Sequence, residues 1–563
     1  MQQILGPINE GPRPARYRTH LYWARKAPDL AARCIEAYTC PGDKVLDPFC
    51  GSGVIPIEAA RLGRAGIGFD IDPVGLFIAK MTAAQANLSK IEDLFKTFLQ
   101  KIRPNVESLY KTCCPLCFSP AAITRVAVWL HEEAMPRELR GRCQTCGDFS
   151  KPPDERDQTH LMNVWGAPLP SCVPDLVLRY ANGKLFLKAE GHTSIKDLYT
   201  HRNLLALGLI HEEIDSIVGK PEQDHLLYGF SSILHLASKL TPDRKSRPYS
   251  SHWGRMSYWI PPKHQERNVF ELLQNALLGR QSVLRGLEDS NLNLEGVRIV
   301  SSLAELASGT IMFKRLSALN LTKILLPSSV DLVFTDPPYG GSVQHFELNS
   351  LWASWLNLNK RDPKDEIIIN PRQEKSPETF GKMLQAVFEE IFALLKPEKK
   401  MVLSFHSTDL RVWKILVQGA IKAGFTLERL FHQPSRRISF KALAQPLNTA
   451  IGDYIFQFER PIERIEPYVL FKGSKDAFSK IVRDAVIKII SARGQPCTFT
   501  ELLTAIYPKI TRSEILCDDL GNLQAILKSW LGHRLWLVKA IDPISKKEAA
   551  LWWIAEEYQG SKG

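Results

Sequence analysis

A mostly parallel, doubly wound α/β sheet is the fold class this sequence predicts, and two distant segments predict it. They are VLDPFCGSG at Val45 to Gly53 and DLVFTDPPYG at Asp331 to Gly340. Each reads as a short, buried strand ending in a turn of small, rigid or acidic residues. Parallel strands deliver their loops in this way to one edge of a sheet, where ligands bind. A third observation is a series of further apolar runs that bring the strand count to seven.

In chain order, Lys44 to Pro48 is the first predicted strand, Phe49-Cys50-Gly51-Ser52-Gly53 the turn, and Pro56 to Leu62 the following helix. Glycine lets backbone pass close to a bound cofactor. The second strand, Ala65 to Phe69, ends on Asp70, about twenty residues after the turn, where an acidic side chain can bind a ribose diol. A nucleoside cofactor fits this unit, although strand-Gly-helix turns also arise for purely structural reasons. The remaining strands fall at about Thr310 to Leu316, Asp331 to Thr335, Lys400 to His406, about Phe425 to His432 and Asp453 to Phe458.

The turn Asp336-Pro337-Pro338-Tyr339 puts a carboxylate, a stiff carbonyl pair and an aromatic face at one strand end. An exocyclic base amine needs those groups. Its nitrogen is conjugated into the ring and is a poor nucleophile, so hydrogen bonds from its protons to Asp336 and a proline carbonyl would localise the lone pair. Tyr339 can stack on a base that has left its helix. An ordinary Pro-Pro turn with a surface Tyr is the alternative, and the upstream glycine turn argues against it.

With both motifs in view, the chain resembles the amino-group, S-adenosylmethionine-dependent nucleic-acid methyltransferases, and most closely adenine-specific DNA methylases that contain a zinc ribbon. Asp47 to Gly53 resembles that family's cofactor loop, and Asp336 to Tyr339 its catalytic tetrapeptide. THLYWARKAPDL at Thr19 to Leu30 resembles the segment that encloses the methionine end of the cofactor. The resemblance covers the first ninety residues and about 310 to 460, and touches the middle only in places such as DLYTHRNLLALGLI at Asp197 to Ile210. It implies a Rossmann-like methyltransferase sheet, with Asp47, Pro48, Phe49, Gly51, Gly53, Asp70 and Ser317 on the cofactor. Val54 stands where Thr usually follows the glycine turn, and Ser317-Ala318 where an acidic residue often meets the cofactor adenine. Those departures imply modest cofactor affinity.

The chain has 563 residues, of which 44% are hydrophobic, enough for two or three domains with sizeable cores. The expected division is a first core part at 1–90, an insertion at 91–295, a second core part at 296–462 and an accessory unit at 463–563. A formal charge of +12 suits a polyanionic partner such as double-stranded DNA, although many basic proteins owe only solubility to their charge. No run approaches the ~18 apolar residues of a membrane helix, and no basic-then-apolar leader opens the chain, so a cytoplasmic protein with no membrane partner is expected.

Eleven cysteines do not form a disulfide pattern in a chain of this kind. Cys114-Pro-Leu-Cys117 and Cys143-Gln-Thr-Cys146 are two C-x-x-C knuckles separated by 25 residues, a spacing that closes a tetrahedral four-thiolate Zn2+ site. A redox pair or unrelated cysteines is the alternative, and Cys113 is a second candidate for the first knuckle. A closed site of this type is structural, so the zinc ribbon expected at about 110–150 serves stability or DNA docking.

Within the insertion, Arg244 to His264 interleaves Arg244, Lys245, Arg247, Arg255 and Lys263 with Tyr249, Trp253, Tyr258 and Trp259. Cations for phosphate and rings for bases suit nucleic acid, while aromatics packing on the domain is the equal alternative. Arg436, Arg437 and Lys441 are further phosphate candidates or a solvated loop. His406 is read as a strand-end residue or as part of a pocket rim. From Glu463 onward, helical periodicity at Ala477 to Ile490 and Thr500 to Ile506, a Gly-Gln-Pro turn at Gly494 and a strand-like LWWIA at Leu551 to Ala555 suggest a small helical or winged-helix-like unit.

The function expected is site-specific transfer of a methyl group to adenine N6 in DNA. RNA base methylation and cytosine N4 methylation use the same chemistry. A recognition subunit of a restriction or phage-defence system, with a degenerate site, is the non-enzymatic alternative, and the intact Asp336 to Tyr339 argues against it.

Overall fold

The computed structural model describes residues 8–130, 136–180, 182–185, 193–243, 258–358, 363–407, 410–433 and 453–464, with short stretches at 482–488, 490–491, 497, 502, 535–541 and 548–554. For 124–130, 410, 535–541 and 548–554 it describes backbone alone.

The strands in chain order are β1 (Lys44–Asp47), β2 (Ala65–Asp70), β3 (Lys111–Cys113), β4 (Pro120–Leu130), β5 (Glu138–Cys143), β6 (Gly147–Lys151), β7 (Lys263–Glu266) and β8 (Arg298–Val300). They continue with β9 (Thr310–Arg315), β10 (Val330–Thr335), β11 (Leu395–Phe405), β12 (Thr426–Gln433), β13 (Asp453–Glu459), β14 (Leu535–Ile541) and β15 (Glu548–Ile554). Eight of them form one sheet in the order β12-β13-β11-β10-β1-β2-β9-β8. Only β13 is reversed, antiparallel to both β11 and β12. All seven predicted strands are present, and β8 adds an eighth at the edge.

Strand order decides where a ligand can sit. From β1 the sheet extends through β2, β9 and β8 on one side, and the chain then returns to β10 beside β1 and steps outward to β11 on the other. The loops after β1 and β10 therefore diverge, leaving a crevice at their carboxyl ends. Alternate residues feed opposite faces. Val45, Ile311 and Leu332 pack with α1 (Pro28–Tyr38), α2 (Val54–Arg61) and part of α3 (Pro73–Ala83), whereas Leu46, Met312 and Val333 face the other layer. Helix α2 starts at Val54, two residues before the expected Pro56. Proline is tolerated there because the N–H groups of a first turn have no intrahelical partner.

A second core forms around α4 (Leu88–Ser108), α5 (Glu155–Gly166), α6 (His201–Asp215), α7 (Lys220–Ala237), α8 (Val269–Leu278) and α9 (Val283–Asn293). Beside it, β3-β4-β5-β6 form an antiparallel sheet, with β7 added against β4. After β10, α10 (His345–Leu348) and α11 (Ser350–Trp355) bury Trp352 and Trp355 in this second core. The far face of the main sheet is covered by α12 (Pro377–Leu394) and α13 (Leu410–Lys422). Near the C-terminus, 482–488 and 490–491 are helical, and the buried Val482, Val486 and Ile490 belong to the α12/α13 apolar cluster. β14 and β15 form an antiparallel hairpin. The expected Gly494 turn, most of the Thr500 to Ile506 helix, Arg436, Arg437 and Lys441 lie outside the described residues. No described helix is long and apolar enough to cross a membrane.

Candidate functional site

The two motifs meet where the strand order reverses. β1 and β10 pair in parallel, Val45 with Leu332 and Leu46 with Val333. At their ends the Thr335 hydroxyl donates to Asp47 Oδ1 at 2.6 Å, and the Phe49 N–H donates to the same oxygen at 3.0 Å. A cleft opens above them. Its walls include Asp47, Pro48, Phe49, Gly51 and Asp70 on one side and Asp336, Pro337, Pro338 and Tyr339 on the other.

Gly53 and Ser317 do not line it. Gly53 caps α2 with φ +79°, and a Cβ there would meet Ala79 Cβ at 2.7 Å and the Phe313 ring at 2.9 Å, both in the core behind the loop. Ser317 caps the turn Ala318–Lys323 by accepting the Leu319 N–H, so its neighbour Ala318 lines the cleft instead. Gly51 differs from Gly53. It has φ +47°, and a Cβ would lie 2.6 Å from the Tyr22 hydroxyl, on a ring that lines the cleft.

Asp70 ends β2 and uses its carboxylate to hold the turn, accepting the Gly51 N–H on Oδ2 and the Asp72 N–H on Oδ1, each at 2.8 Å. Burial pushes its carboxyl up to about 7, against the pull of those N–H groups. Burial also raises Asp47 to about 8 and Asp336 to about 7. Glu366, also on the cleft wall, is raised to about 7 by burial and by Glu347, so four acidic groups stand at the edge of neutrality in one cleft. A bound cation favours their ionised forms.

The segment Thr19 to Leu30 packs over this cleft, and α7 holds it there. The Thr19 hydroxyl is 2.6 Å from the Tyr228 hydroxyl of α7, and His20 Nε2 is 3.1 Å from Ser231 Oγ. Arg25 Nε donates to Ser52 Oγ at 3.0 Å, tying the segment to the glycine turn. Tyr22, Trp23, Ala24, Arg25 and Lys26 all line the cleft, and His345 of α10 stacks on Tyr22 with ring centroids 5.8 Å apart.

Sequence reasoning missed two side chains here. Lys26 Nζ lies 3.0 Å from Asp336 Oδ1 and 2.7 Å from Asp453 Oδ2. Lys26 sits in the quoted segment, but nothing local assigns it a carboxylate partner. Asp453 begins β13, and only the reversal of that strand brings it near. The Tyr339 hydroxyl donates to Asp336 Oδ1, and its ring packs edge-on against Phe405 at 5.2 Å. His406 follows β11, with its ring 6.1 Å from Tyr339 and Nδ1 3.8 Å from Asp453 Oδ1.

Away from the cleft, the thiols of Cys114, Cys117, Cys143 and Cys146 gather at the turns β3-β4 and β5-β6, all within 4.8 Å of one another. Cys117 and Cys143 Sγ are 3.6 Å apart, far beyond a disulfide bond. Tetrahedral zinc at ~2.3 Å from each sulfur needs sulfurs about 3.8 Å apart, so the set fits. Cys113 stands in β3, outside the cluster.

Of the candidate nucleic-acid segment, 244–257 lies outside the described residues. Tyr258 is buried, donates to the Leu348 carbonyl and accepts the Leu351 N–H, both at 3.1 Å, so this ring packs on the domain. Lys263 pairs with Asp243 at 3.2 Å.

The N6_N4_Mtase family model, described as DNA methylase, matches residues 8–80. The Type II methyltransferase M2.DpnII of Streptococcus pneumoniae is 46% identical over 63 residues, 10% of this chain and 24% of that protein. The Type II methyltransferase M.MjaII of Methanocaldococcus jannaschii is 27% identical over 84 residues, 15% of this chain and 16% of that protein. Ribosomal protein L11 methyltransferase of Thermus thermophilus is 46% identical over 54 residues, 10% of this chain and 21% of that protein. The chain thus spans a quarter or less of the length of these relatives. A solved structure of TTHA0409 from Thermus thermophilus, by name a DNA modification methylase, complexed with S-adenosyl-L-methionine, aligns over 33% of this chain and 63% of that one. The two are 16% identical, with a TM-score of 0.16.

Proposed function

We propose that this chain is an S-adenosylmethionine-dependent methyltransferase acting on an exocyclic amino group of a DNA base, with adenine N6 as the acceptor. The observation that carries the reading is the convergence of the Asp47 to Gly51 turn and the Asp336 to Tyr339 turn on one cleft at the strand-order reversal. The match of residues 8–80 to a DNA methylase family supports it.

The cleft suits the cofactor chemically. Gly51 leaves a space beside Tyr22 that a side chain would fill, and acidic groups face a site that must hold a sulfonium. The turn 48–52 and Asp70 would hold the nucleoside, with Tyr22 and His345 as the aromatic wall. When bound, the cofactor supplies a methyl group that leaves sulfur as the amine lone pair forms the new N–C bond, the C–S electrons returning to sulfur. The residues of the chain do the rest. Asp336 and a carbonyl of the proline pair accept hydrogen bonds from the two amine N–H groups, which localises the lone pair, and Asp336 takes up the one proton that the product nitrogen sheds. Tyr339 packs against the base. Preorganised polar groups and positioning dominate such catalysis.

The four-cysteine cluster is read as a structural Zn2+ site, closed to substrate and held between two β turns. The core parts are read as 1–90 and 296–462, the insertion 91–295 as the DNA-reading region and 463–563 as an accessory unit. Restriction or defence-system subunits are the protein partners this role would have, and the cytoplasm its place. Incubation with tritiated S-adenosylmethionine and either duplex DNA or total RNA, followed by nucleoside analysis, tests the reading. Label in N6-methyladenine from DNA is expected. Label in N4-methylcytosine, or in RNA alone, overturns the acceptor assigned here.

A further inference from the structure

Three stretches far apart in the chain meet at the carboxylate of Asp336. Lys26 comes from the segment ahead of α1, Asp336 follows β10, and Asp453 opens the reversed strand β13. Lys26 is only 9% exposed, and its Nζ bridges Asp336 Oδ1 at 3.0 Å and Asp453 Oδ2 at 2.7 Å. It also donates to the Tyr339 hydroxyl, which in turn donates to Asp336 Oδ1. Both donors therefore land on Oδ1 rather than Oδ2. Asp453 is held in turn by Ser404 Oγ at 3.3 Å, with His406 Nδ1 at 3.8 Å.

We infer that Lys26 and Asp453 are positioning residues for the amine-binding carboxylate. Lys26 clamps Asp336 through Oδ1, keeps it ionised and leaves Oδ2 to accept the amine N–H, while Asp453 anchors Lys26 and divides its charge. The inference rests on the amino-methyltransferase reading of the cleft.

Electrostatics support the geometry. A buried carboxyl favours its neutral form, and a neutral acid is a weaker acceptor than a carboxylate. Burial is the largest influence on Asp336 and raises it to about 7, while Lys26 and Tyr339 pull down and Asp453 pushes up. Burial would lower Lys26, but Asp336 and Asp453 together raise it, so it stays charged. Burial would raise Asp453, but Lys26 and His406 bring it below the usual carboxylate value. Asp47 faces Asp336 from the end of β1 as a further carboxyl. With Asp336 ionised, the trio of one cation and two carboxylates carries one net negative charge beside the place for a sulfonium. Lys26 is thus the group that decides whether Asp336 is ionised near neutral pH.

The test compares the pH dependence of methyl transfer for wild type, Lys26→Met, Asp453→Asn, the double variant and Lys26→Arg, with donor affinity measured alongside. Loss of an opposite charge at this distance moves a carboxyl by roughly 1–3 units. Lys26→Met is expected to move the acid limb up by about one unit or more with donor affinity kept, Asp453→Asn to move it down, and the double variant to fall between. Lys26→Arg should restore most of the wild-type limb. A second readout needs no turnover: titration of carboxyl-13C-aspartate in the full chain by NMR, with the Asp336 signal assigned by its loss in Asp336→Asn. An upward shift in Lys26→Met, or a downward shift in Asp453→Asn should the first variant not fold, upholds the inference. An unchanged Asp336 titration and an unmoved acid limb at lowered rate would make Lys26 a packing residue and overturn it. Absence of methyl transfer by wild type refutes the reading of the site, and the titration then still decides the role of Lys26.

Discussion

Alanine at Gly51 is the sharpest probe of the cleft, because structure assigns its strain to one neighbour. The new Cβ would lie 2.6 Å from Oη, 2.7 Å from Cε1 and 2.9 Å from Cζ of Tyr22, and the backbone there has φ +47°. A left-handed alanine costs roughly 1 kcal/mol, and pushing the half-buried Tyr22 ring off its rotamer costs another ~1 kcal/mol. Tyr22 lines the cleft and stacks on His345, so the strain is relieved by the ring and turn leaving the arrangement that binds cofactor. Donor binding must then restore it, at about 2 kcal/mol or roughly thirtyfold in Kd. Calorimetric titration with S-adenosylhomocysteine reads this directly. Gly53→Ala is the control, since its Cβ meets Ala79 and Phe313 behind the loop. It should lower Tm comparably while weakening binding less. A folded Gly51→Ala protein with Kd within about twofold of wild type would refute the reasoning.

Asp336→Asn should lower the methyl-transfer rate by about a hundredfold or more, as loss of one preorganised polar group does, with donor affinity kept; retained turnover would remove that carboxylate from the mechanism. Metal analysis should find one zinc equivalent per chain, lost in Cys143→Ser with melting of the β3-β6 sheet. Donor binding should survive that loss, because no residue of β3 to β6 or their turns lines the cleft. Asp70 and Asp336 stand at about 7 in the folded chain against about 3.9 unfolded. Carboxyls raised by folding leave stability intact below the unfolded value and reduce it as pH climbs through the folded one. Asp336→Asn should therefore raise Tm relative to wild type more at pH 8 than at pH 5, and an equal effect at both would place that carboxyl's titration elsewhere.

Most of the sheet was legible because its strands are buried on both faces, and continuous apolar runs mark such strands plainly. β8 escaped notice because Arg298 and Ile299 are exposed at an edge, which leaves three residues without a pattern. β11 starts five residues ahead of the expected Lys400. Pro397 and the left-handed Glu398 at φ +61° interrupt the run, and pairing skips from Leu395 to Lys400. The roles of Gly51 and Gly53 look alike in sequence. Only the neighbours of their absent side chains, Tyr22 for one and Phe313 for the other, separate them.

By itself the sequence determined the chemistry on offer: a glycine turn after one strand, Asp-Pro-Pro-Tyr after another, and two cysteine knuckles. These are local signals, carried by residues within a few positions of one another. Tertiary structure alone decided that Lys26, Asp336 and Asp453 share one charge network. Their sequence separations are set by a long insertion and a reversed strand, and which buried carboxylate a lysine neutralises depends on packing, not on spacing along the chain.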